Sequence, residues 1–463
     1  MKIAELEGRS VLILGLGQEG RSSWAFLRAA FPEARLGVAD QFPLEQLPAE
    51  TQALLRDDRR VQAHLGPDYL ASVNDYDVIV RSPGIPLCQP ALQQAARAGR
   101  TITSQTALFF ANFAGTVVGI TGTKGKSTTA SLARAILQKK YPGVQLIGNI
   151  GAPALDWLPR LKPDGIVVYE LSSHQLEGLA CSPHIAVLLN IVPEHLDYYA
   201  SFEQYAAAKA CITRAQTKRD FLIYDADHET PRRIAAASRA TRLGLSLEGG
   251  QPAGAFLAGD HIVFRPNGGP VENVVAVRDV PLLGRFNLMN VAAAVAVGKV
   301  LEVPNAPIAE AVRQFQPLEH RLEWVGVFGG VTYYNDSIAT VPEATIGALD
   351  ALGPSVETLL LGGTDRRLDF SGLAARIAQS NVKTLILFPA TGARIWQTVE
   401  SQQPEVAARL RHFFVDTMED AVALARQHTA PGRICLLSPA SPSFGLFRDY
   451  RERGDRFKQL LRG

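Results

Sequence analysis

The segment Thr116–Thr129, with the sequence TVVGITGTKGKSTT, decides the fold class of this 463-residue chain. It begins with an apolar, β-branched run at 117–120, turns through Gly122 and Gly125, and ends in the triplet KST at 126–128. A strand, a glycine-rich loop and a helix in this order are typical of an α/β domain with a parallel sheet. The segment therefore predicts a nucleotide-binding domain.

The residue types in this loop are those that bind a polyphosphate. Backbone N–H groups of the loop and the helix N-terminus attract phosphate oxygens, a lysine reaches the outer phosphates, and the following hydroxyl ligates Mg²⁺. We predict that the nucleotide is held by Gly122, Thr123, Lys124, Gly125, Lys126, Ser127 and Thr128. One departure is Ile120, which stands where the usual phosphate loop has its first glycine. The alternative is a solvated Gly/Lys turn.

Length and composition bound the class of protein. The chain is long enough for about three domains, and 47% hydrophobic with 20% charged residues is ordinary for a globular protein. A formal net charge of +2 gives no electrostatic reason to expect nucleic acid or a membrane surface as a partner. The four cysteines are scattered, and we find neither a signal-like start nor a long apolar run. We expect a monomeric cytoplasmic enzyme that acts on small molecules.

The first segment, up to about Phe113, has its own glycine-rich turn. A strand at 11–14 runs into Gly15–Gly20, with a helix beginning near Arg21, and Asp40 closes the next apolar run. Taken alone, this G-x-G-x-x-G pattern predicts an NAD-dependent oxidoreductase, although any tight strand-to-helix turn favours glycine. A strand at 76–80 ends in a second such turn, at the edge where α/β sheets bind ligands.

The second segment adds polar residues at the ends of buried strands. Glu170 closes a strand at 166–169 and is a candidate Mg²⁺ ligand, or else a helix cap. His195 follows a strand at 185–190 and lies in the same layer of loops. Lys209, in an alanine-rich helix, would by itself be a solvated lysine. Short strands after residue 220 suggest a β extension of the same domain.

Several short stretches together resemble the Mur ligases, ATP-dependent enzymes that build the stem peptide of peptidoglycan. The resemblance covers essentially the whole chain, and the family's own phosphate loop accounts for Ile120. It rests on TGTKGKS at 121–127, GNIG at 148–151, ELSS at 170–173, EHLD at 194–197, Lys209, Asn287 with Asn290, HR at 320–321, NDS at 335–337 and SPA at 438–440.

The resemblance implies an α/β fold of three domains. These are a UDP-binding Rossmann-like domain at 1–113, a central ATP-binding P-loop domain at 114–316 with a parallel sheet and a small β extension, and a C-terminal Rossmann-like domain at 317–463 that receives the amino acid. The nearest likeness is to the glutamate-adding members, which act on UDP-N-acetylmuramoyl-L-alanine through an acyl phosphate. The turn at 15–20 then serves UDP instead of NAD.

The resemblance also implies roles for individual residues. Those expected to act in catalysis are Lys126, Glu170, His195 and Lys209, and those expected to hold two Mg²⁺ ions are Ser127, Glu170, His195 and Lys209, the last as a carbamate. Those expected to line ATP besides the loop are Asn290, His320, Arg321 and Asp336. The UDP-sugar side is expected to use Gly17, Gln18, Glu19, Asp40, Ser82, Gly84, Asn149 and Ser172. The glutamate side is expected to use Thr340, Arg366, Ser443, Phe444 and Tyr450.

Four positions depart from the pattern of the glutamate-adding members. Ile338 and Phe286 replace a usual lysine and a usual histidine, GGTDRR at 362–367 replaces a motif that ends in lysine, and Gly445 replaces an acid. Three of these changes lie where the amino acid arrives, and an arginine fork binds a carboxylate differently from a lysine. The departures favour L-glutamate as the acceptor, with D-glutamate as the alternative.

Other classes of enzyme account for less of the chain. An NAD-dependent oxidoreductase leaves the phosphate loop unexplained. A P-loop kinase or GTPase explains Lys126 and Ser127 but not Lys209 or the third segment. Folylpolyglutamate synthase also adds glutamate, but it should lack the first domain.

Overall fold

The computed structural model describes residues 1–195 and 198–463. They form two compact units, one of Met1–Asp279 with Leu288–Gln314, and the other of Val280–Asn287 with Phe315–Gly463. The first unit contains two sheets and the second contains one. Each predicted domain corresponds to one sheet, whereas the predicted domain bounds stay a prediction. Among the described residues, no helix is long and apolar enough to cross a membrane.

The first sheet is wholly parallel, with the strand order β3-β2-β1-β4-β5. Its strands are β1 (Val11–Leu14), β2 (Leu36–Asp40), β3 (Gln62–Leu65), β4 (Val78–Arg81) and β5 (Thr101–Thr103). Its helices are α1 (Gln18–Ala30), α2 (Ala49–Asp57), α3 (Pro90–Arg97) and α4 (Gln105–Asn112), with 3₁₀ turns at Ile3–Leu6, Leu44–Gln46 and Tyr69–Asp75. The strand order reverses between β1 and β4, which is where such sheets bind ligands. The predicted Rossmann-like fold is confirmed.

The second sheet has nine strands in the order β14-β13-β12-β11-β10-β9-β6-β8-β7. They are β6 (Thr116–Thr121), β7 (Gln145–Gly148), β8 (Ile166–Glu170), β9 (Ile185–Leu188), β10 (Phe221–Asp225), β11 (Thr241–Ser246), β12 (Gly254–Ala258), β13 (His261–Arg265) and β14 (Glu272–Ala276). Only the pairs β12·β13 and β13·β14 are antiparallel among these. The predicted β extension is therefore the far edge of the same sheet.

Helices cover both faces of this second sheet, and the apolar strands at its centre are buried. The helices are α5 (Lys126–Gln138), α6 (Ala154–Trp157), α7 (Ser173–Leu176), α8 (Phe202–Arg214), α9 (Glu229–Ala237), α10 (Arg285–Val300) and α11 (Asn305–Gln314), with 3₁₀ turns at Leu158–Arg160 and Val277–Asp279. Strand β6 lies between β8 and β9. The phosphate loop that follows β6 is thus flanked by the ends of two parallel strands.

The third sheet has the order β15-β16-β20-β17-β18-β19, and only the pair β15·β16 is antiparallel among the pairs described. Its strands are β15 (Glu323–Phe328), β16 (Val331–Asn335), β17 (Val356–Gly362), β18 (Thr384–Phe388), β19 (Arg411–Phe414) and β20 (Ile434–Leu437). Its helices are α12 (Pro342–Leu352), α13 (Ser371–Ala378), α14 (Thr391–Gln402), α15 (Pro404–Ala407), α16 (Met418–His428) and α17 (Tyr450–Arg462), with a 3₁₀ turn at Gly353–Ser355. The alternation of strands and helices confirms the expected C-terminal α/β domain.

Two predicted boundaries in the first sheet are wrong. Helix α1 begins at Gln18, not near Arg21, because Gly17 already adopts the extended conformation of an N-cap. Gly20 lies inside the helix, where a Cβ atom would meet the carbonyl oxygen of Gly15 at 1.9 Å. The last glycine of the pattern therefore permits close packing of helix on strand. Strand β4 ends at Arg81, so this arginine belongs to the strand.

Candidate active site

The phosphate loop connects β6 to α5 and depends on two glycines. Gly122 and Gly125 have φ angles of 155° and 87°, in the region that side chains avoid. A Cβ atom on Gly125 would lie 2.2 Å from Oδ1 of Asn290, and one on Gly122 would lie 2.6 Å from Cβ of Leu189. Both glycines are therefore required by conformation and by space.

The rest of the loop is held by neighbouring loops of the same unit. The backbone N–H of Thr123 donates to the carbonyl oxygen of Asn190 (2.7 Å), and that of Lys124 donates to Oδ1 of Asn190 (3.1 Å). The Thr123 hydroxyl lies 3.0 Å from the Tyr205 hydroxyl. Nζ of Lys126 donates to the carbonyl oxygens of Gly122 (3.0 Å) and Thr123 (2.9 Å). Contacts within the protein therefore hold the loop in this shape.

Lys209 lies beneath this loop and not in solvent. Its side chain is 1% exposed, its Nζ donates to the carbonyl oxygen of Gly122 (2.8 Å), and it lies over the Tyr205 ring at 4.8 Å. Burial, followed by the nearby ammonium of Lys126, holds the pKa of Lys209 well below its usual range. The expectation of a solvated lysine, drawn from the helix pattern alone, is therefore wrong, whereas the role that the resemblance implies for Lys209 stays a prediction.

Glu170 ends β8 beside the start of the loop, where it pairs in register with Ile120 of β6. It is fully buried, and its Oε1 accepts a hydrogen bond from Nδ2 of Asn149 (2.8 Å). Its Oε2 has no hydrogen-bond partner among the described residues, nor have the buried Oγ1 atoms of Thr121 and Thr128. Buried oxygens without partners are costly, so this cluster suits a ligand that satisfies them.

The donor atoms at this point fit a magnesium ion that is shared with phosphate. Mg²⁺ in nucleotide sites commonly takes one or two carboxylates together with phosphate oxygens and water. The unpartnered oxygen of Glu170 and the half-buried hydroxyl of Ser127 supply oxygen ligands of this kind. Within the part of the chain that the structure describes, no three His, Cys, Asp or Glu residues form a ready-made metal site.

His195 lies in the loop after β9, near the same strand ends. It adopts a left-handed backbone conformation (φ 57°), and its ring lies 4.9 Å from the ring of His174 and 6.1 Å from that of Tyr205. The preceding Glu194 accepts from Nζ of Lys124 (2.5 Å). Burial alone raises the pKa of Glu194, but Lys124 outweighs it and the pKa is lowered. The motif residues Leu196 and Asp197 lie outside the described residues.

The residues predicted for the UDP-sugar side lie on the ends of β1, β2 and β4, and beside β8. Oδ2 of Asp40 accepts from the backbone N–H of Leu16 (2.7 Å), and the Ser82 hydroxyl donates to the carbonyl oxygen of Gly15 (2.7 Å). Asp40 and Ser82 thus shape the glycine turn from two sides. Three further members of this set, Gly17, Gln18 and Gly84, are exposed, and so is Asn149.

Glu19 and Ser172, the remaining two members, meet through Gln175. Oε1 of Glu19 accepts from Nε2 of Gln175 (2.5 Å), and the Ser172 hydroxyl accepts from the backbone N–H of Gln175 (3.2 Å). Burial raises the pKa of Glu19, although Gln175 and Arg81 oppose the shift. The UDP-side turn is thereby connected to the strand end that carries Glu170.

In the second unit, the predicted nucleotide residues form a buried polar cluster. Asp336 accepts from the Ser438 hydroxyl (2.8 Å) and the backbone N–H of Leu322 (3.1 Å), and burial raises its pKa to about 7. Nδ1 of His320 accepts from Nδ2 of Asn335 (3.0 Å), and burial lowers the pKa of His320. Nε of Arg321 is buried without a partner among the described residues.

The predicted nucleotide residues are divided between the two units. Asn290 belongs to the first unit, where its Oδ1 accepts from the Thr129 hydroxyl (3.2 Å) beside Gly125. His320, Arg321 and Asp336 belong to the second unit. Within each unit, the residues that are predicted to bind the nucleotide lie near one another.

The residues predicted for the glutamate side lie on loops after β16, β17 and β20 and at the start of α17. Ser443 is buried, Thr340 and Tyr450 are half-buried, Arg366 is exposed, and Phe444 is 54% exposed. The Thr364 hydroxyl donates to the carbonyl oxygen of Phe444. These loops therefore meet at the carboxyl edge of the third sheet, as predicted for a ligand site.

One buried residue in this region escapes sequence reasoning. Arg453 of α17 is 1% exposed, and its guanidinium donates to the carbonyl oxygens of Ser337 (2.8 Å), Ser441 (3.1 Å) and Gly362 (3.4 Å) and to the Ser337 hydroxyl (3.0 Å). Burial lowers its pKa to about 9. Arg453 thus ties together the ends of β16, β17 and β20, and a lone arginine in a charged helix gives no sign of this in the sequence.

Models of three protein domains match the chain in succession. They are described as the N-terminal domain of MurD-like Mur ligases at residues 9–104, the Mur ligase middle domain at 120–298, and the glutamate ligase domain of Mur ligases at 320–441.

Curated relatives match over nearly their whole length. The UDP-N-acetylmuramoylalanine–D-glutamate ligase of Acidobacterium capsulatum is 37% identical and that of Koribacter versatilis is 38% identical, each over 459 residues. The alignments cover 99% of this chain, with 97% of the first relative and 98% of the second.

Solved structures with the same architecture are more distant in sequence. UDP-N-acetylmuramate-alanine ligase from Thermotoga maritima has a TM-score of 0.59 at 16% identity, covering 98% of this chain and 99% of that one. UDP-N-acetylmuramoylalanyl-D-glutamyl-2,6-diaminopimelate–D-alanyl-D-alanyl ligase from Acinetobacter baumannii has a TM-score of 0.60 at 16% identity, covering 98% of this chain and 93% of that one. At such identities, the likeness concerns the fold alone.

Proposed function

The chain belongs to the Mur ligase family, and on this premise we propose that it joins D-glutamate to UDP-N-acetylmuramoyl-L-alanine with cleavage of ATP to ADP and phosphate. The observation that carries this proposal is full-length identity of 37% and 38% to relatives named as D-glutamate ligases of that substrate. The preference for L-glutamate drawn from the departures has no support in these names, which favour the D-glutamate alternative. Family membership also argues against the alternative of an NAD-dependent oxidoreductase.

The departures are compatible with D-glutamate. Arg366 retains a cation where a lysine is usual, and its exposed position leaves the side chain room to reorient toward a carboxylate. Gly445, which replaces an acid, has a φ angle of 102° and open space around it. Packing therefore does not require a larger side chain at this position. Changes grouped in one pocket can therefore compensate for one another without altering the substrate.

The first chemical step brings anionic oxygens together. A carboxylate oxygen of the substrate's alanine attacks the γ-phosphorus of ATP, ADP leaves, and an acyl phosphate forms. Lys126, the N–H groups of the loop and the N-terminus of α5 supply positive charge where negative charge accumulates. Nζ of Lys126 lies only 2.9 and 3.0 Å from two loop carbonyl oxygens, so it can exchange these contacts for phosphate oxygens by a small movement.

Ser127 and Glu170 are the residues that would hold a magnesium ion at the loop. When bound, Mg²⁺ would neutralise phosphate charge during transfer. Asn149 fixes one oxygen of Glu170, and the other oxygen has no partner among the residues that the structure describes. Glu170 is therefore oriented by its neighbour while it keeps one oxygen available.

Lys209 and His195 are the residues that we assign to a second ion. An ammonium cannot ligate a cation, but a carbamate presents carboxylate-like oxygens. The lowered pKa of Lys209 favours the neutral amine, which is the form that combines with carbon dioxide. Carbamylation would also remove a hydrogen-bond donor from the carbonyl oxygen of Gly122, so a small adjustment of the loop would accompany it.

The second chemical step uses the third sheet. The amine of glutamate attacks the acyl carbon, and phosphate leaves from the tetrahedral intermediate. We assign the carboxylates of glutamate to Arg366, Ser443 and the backbone around Phe444, with Thr340 and Tyr450 beside them. His320, Arg321 and Asp336 are assigned to ATP, together with Asn290 of the first unit.

Phosphate release with each glutamate enantiomer tests this proposal. Purified protein is incubated with ATP, Mg²⁺, UDP-N-acetylmuramoyl-L-alanine and either D- or L-glutamate, and the nucleotide product is identified by its mass. We expect release that depends on the UDP substrate and is faster with D-glutamate. Faster release with L-glutamate would reverse the assignment of the acceptor, and no release with either would refute the ligase.

A further inference from the structure

Arg81, at the end of β4, lies between the first sheet and helix α7 of the second sheet. Its guanidinium is 3% exposed and forms an ion pair with Oε2 of Glu177 at 3.3 Å. It also donates to the carbonyl oxygens of Ile85, His174 (3.4 Å) and Glu177 (3.4 Å). One buried cation thus bonds to the loop after β4 and to the segment after β8.

Glu177 fastens the same loop from the other side. Its Oε2 accepts from the Tyr198 hydroxyl (2.8 Å) and from the backbone N–H of Leu87 (3.5 Å). The Tyr198 hydroxyl also lies 3.3 Å from the carbonyl oxygen of Pro83. The side chain of Leu87 packs so closely on Gly178 that a Cβ atom there would lie 2.5 Å from it. The loop at 82–87 is therefore fixed at both of its ends.

A second connection runs in parallel through the same short helix. The side-chain oxygen of Gln175 accepts from the backbone N–H of Ser172 (2.8 Å), while its Nε2 donates to Glu19 (2.5 Å). Ser172 comes two residues after Glu170. Two adjacent polar links, one through Arg81 and one through Gln175, thus join the first sheet to the segment that follows β8 in the second sheet.

Both links connect two regions whose relative position matters for the proposed function. The turn at 15–20 and the loop at 82–87 carry residues assigned to the UDP-sugar, whereas Glu170, at the end of β8, is assigned to the magnesium ion of phosphoryl transfer. The uridine group does not react, but its binding energy raises the rate if it fixes the reacting carboxylate in place. A rigid connection between the two regions is the physical requirement for that effect.

We propose that Arg81 is a positioning residue: with Glu177 it clamps the sugar-side loop to α7, so that anchoring of the UDP group is converted into correct placement of the alanine carboxylate at the phosphate loop. This inference rests on the proposed function. Arg81 is not among the residues assigned to the reacting groups, and its described partners are protein atoms of the two segments that it joins.

A purely structural ion pair is the competing explanation. Breaking a buried pair by removing one partner strongly destabilises a protein whatever the function of the pair. The chain offers a matched control in Arg28, in the last turn of α1, which pairs with Asp58 at 2.8 Å and is largely buried. Arg28→Met should reduce stability without affecting the alignment of the substrate.

The test compares Arg81→Met, Arg81→Lys and Glu177→Gln with Arg28→Met and the wild type. Each protein is assayed with the full UDP substrate and with N-acetylmuramoyl-L-alanine 1-phosphate, which lacks the uridylyl group. Melting temperature and the affinity for Mg²⁺–ADP are measured alongside. Glu177→Gln keeps the shape of the partner, so it reports on the clamp even if Arg81→Met folds poorly.

The clamp predicts a specific kinetic pattern. For the full substrate, kcat should fall by about ten- to a hundredfold in Arg81→Met and Glu177→Gln, with KM changed less than about threefold. For the truncated substrate, kcat should change by less than about threefold, so the advantage given by the uridylyl group disappears. Arg81→Lys should be intermediate, because an ammonium cannot span the fork of partners. Mg²⁺–ADP affinity should be unchanged.

Three results would overturn the clamp. A raised KM with unchanged kcat would make Arg81 a simple binding residue. Equal loss with both substrates, or loss no greater than in Arg28→Met, would make it a structural one. Failure of the proposed function is distinguishable, because the wild type itself would then form no product from the full substrate with either glutamate enantiomer.

Discussion

Nζ of Lys209 donates a hydrogen bond to the carbonyl oxygen of Gly122 over 2.8 Å, from the middle of α8 into the phosphate loop. The contact brings Lys209 to a loop that already contains Lys124 and Lys126, and Lys209 and Lys126 donate to the same carbonyl oxygen. Two ammonium groups this close repel each other, which is one reason why the pKa of Lys209 is lowered. The electrostatics of the loop therefore favour conversion of Lys209 into a neutral or anionic group.

Replacement of Lys209 tests this conclusion. Lys209→Ala should lower kcat by at least about a hundredfold, because a ligand oxygen would be lost beside the transferred phosphate. Short carboxylic acids, such as formate or acetate, should restore part of the activity by occupying the vacated space, whereas primary amines should not. The measurement is the rate of phosphate release with and without each additive. Full activity in the variant without any additive would exclude the carbamate.

Alanine variants of two glycines with similar backbone angles can distinguish the effect of backbone strain from the effect of a steric clash in the phosphate loop. Gly125 and Gly99 have φ angles of 87° and 80°, but only Gly125 would place a Cβ atom 2.2 Å from Oδ1 of Asn290, whereas Gly99 has open space. Each change to alanine should cost about 1 kcal/mol of stability or somewhat more. Gly125→Ala should in addition weaken Mg²⁺–ADP binding by at least about tenfold, as measured by calorimetry. Equal binding in both variants would mean that the loop tolerates displacement of Asn290.

The pKa of Asp336 predicts an unusual effect of pH on stability. Burial raises this pKa from 3.8 to about 7, so the folded chain keeps a proton that the unfolded chain releases. Wild-type stability therefore falls as pH rises between these values, and the whole penalty is present above about pH 7. In Asp336→Asn the penalty is absent, and the gain over wild type should grow by about 1.4 kcal/mol per pH unit in that interval.

Melting temperatures of wild type and Asp336→Asn between pH 5.5 and 8.5 provide the measurement. The difference should widen up to about pH 7 and then level off, while the variant loses activity because a nucleotide contact is lost. Stabilisation at the expense of activity is common at functional sites. A difference that does not vary with pH would mean that Asp336 is ionised in the folded chain at all these values.

Arg453 should prove important for stability as well as for the glutamate side. Arg453→Met would remove the guanidinium donor from three buried carbonyl oxygens, those of Ser337, Ser441 and Gly362. The expected loss is about 3 kcal/mol or more, together with a raised KM for glutamate, because the three loops lose their common tie. Arg456→Met is the control. Arg456 lies on the same helix as Arg453 and forms an exposed pair with Glu419 of α16. A small effect equal to that of the control would contradict the role assigned to Arg453.

The sequence predicts best what depends on local chemistry. Thr116–Thr129 is interpreted correctly because β-branched residues, two glycines and a helix start are all local signals, and β6 and α5 have the predicted order. The strand at 11–14 is likewise predicted to the residue. The boundary of α1 is wrong because a glycine can serve either as a turn residue or as a packing residue, and only the contact of Gly20 with Gly15 decides.

Features that depend on burial are beyond local patterns. Lys209 is flanked by alanines in a way that resembles a solvated helix, and it is buried only because Tyr205 and the phosphate loop cover it. Arg81 and Arg453 are buried by partners far away in sequence. The preference for L-glutamate, which was drawn from changes grouped in one pocket, has no support in the names of the full-length relatives.

The most direct test of the central claim follows the oxygen atoms of the substrate. UDP-N-acetylmuramoyl-L-alanine carrying oxygen-18 in its alanine carboxylate is incubated with ATP, Mg²⁺ and D-glutamate, and the released phosphate is analysed by mass spectrometry. Because a carboxylate oxygen bonds to the γ-phosphorus and leaves with it, each phosphate should carry a single labelled oxygen. Unlabelled phosphate released at the rate of product formation would contradict activation of the carboxylate by ATP.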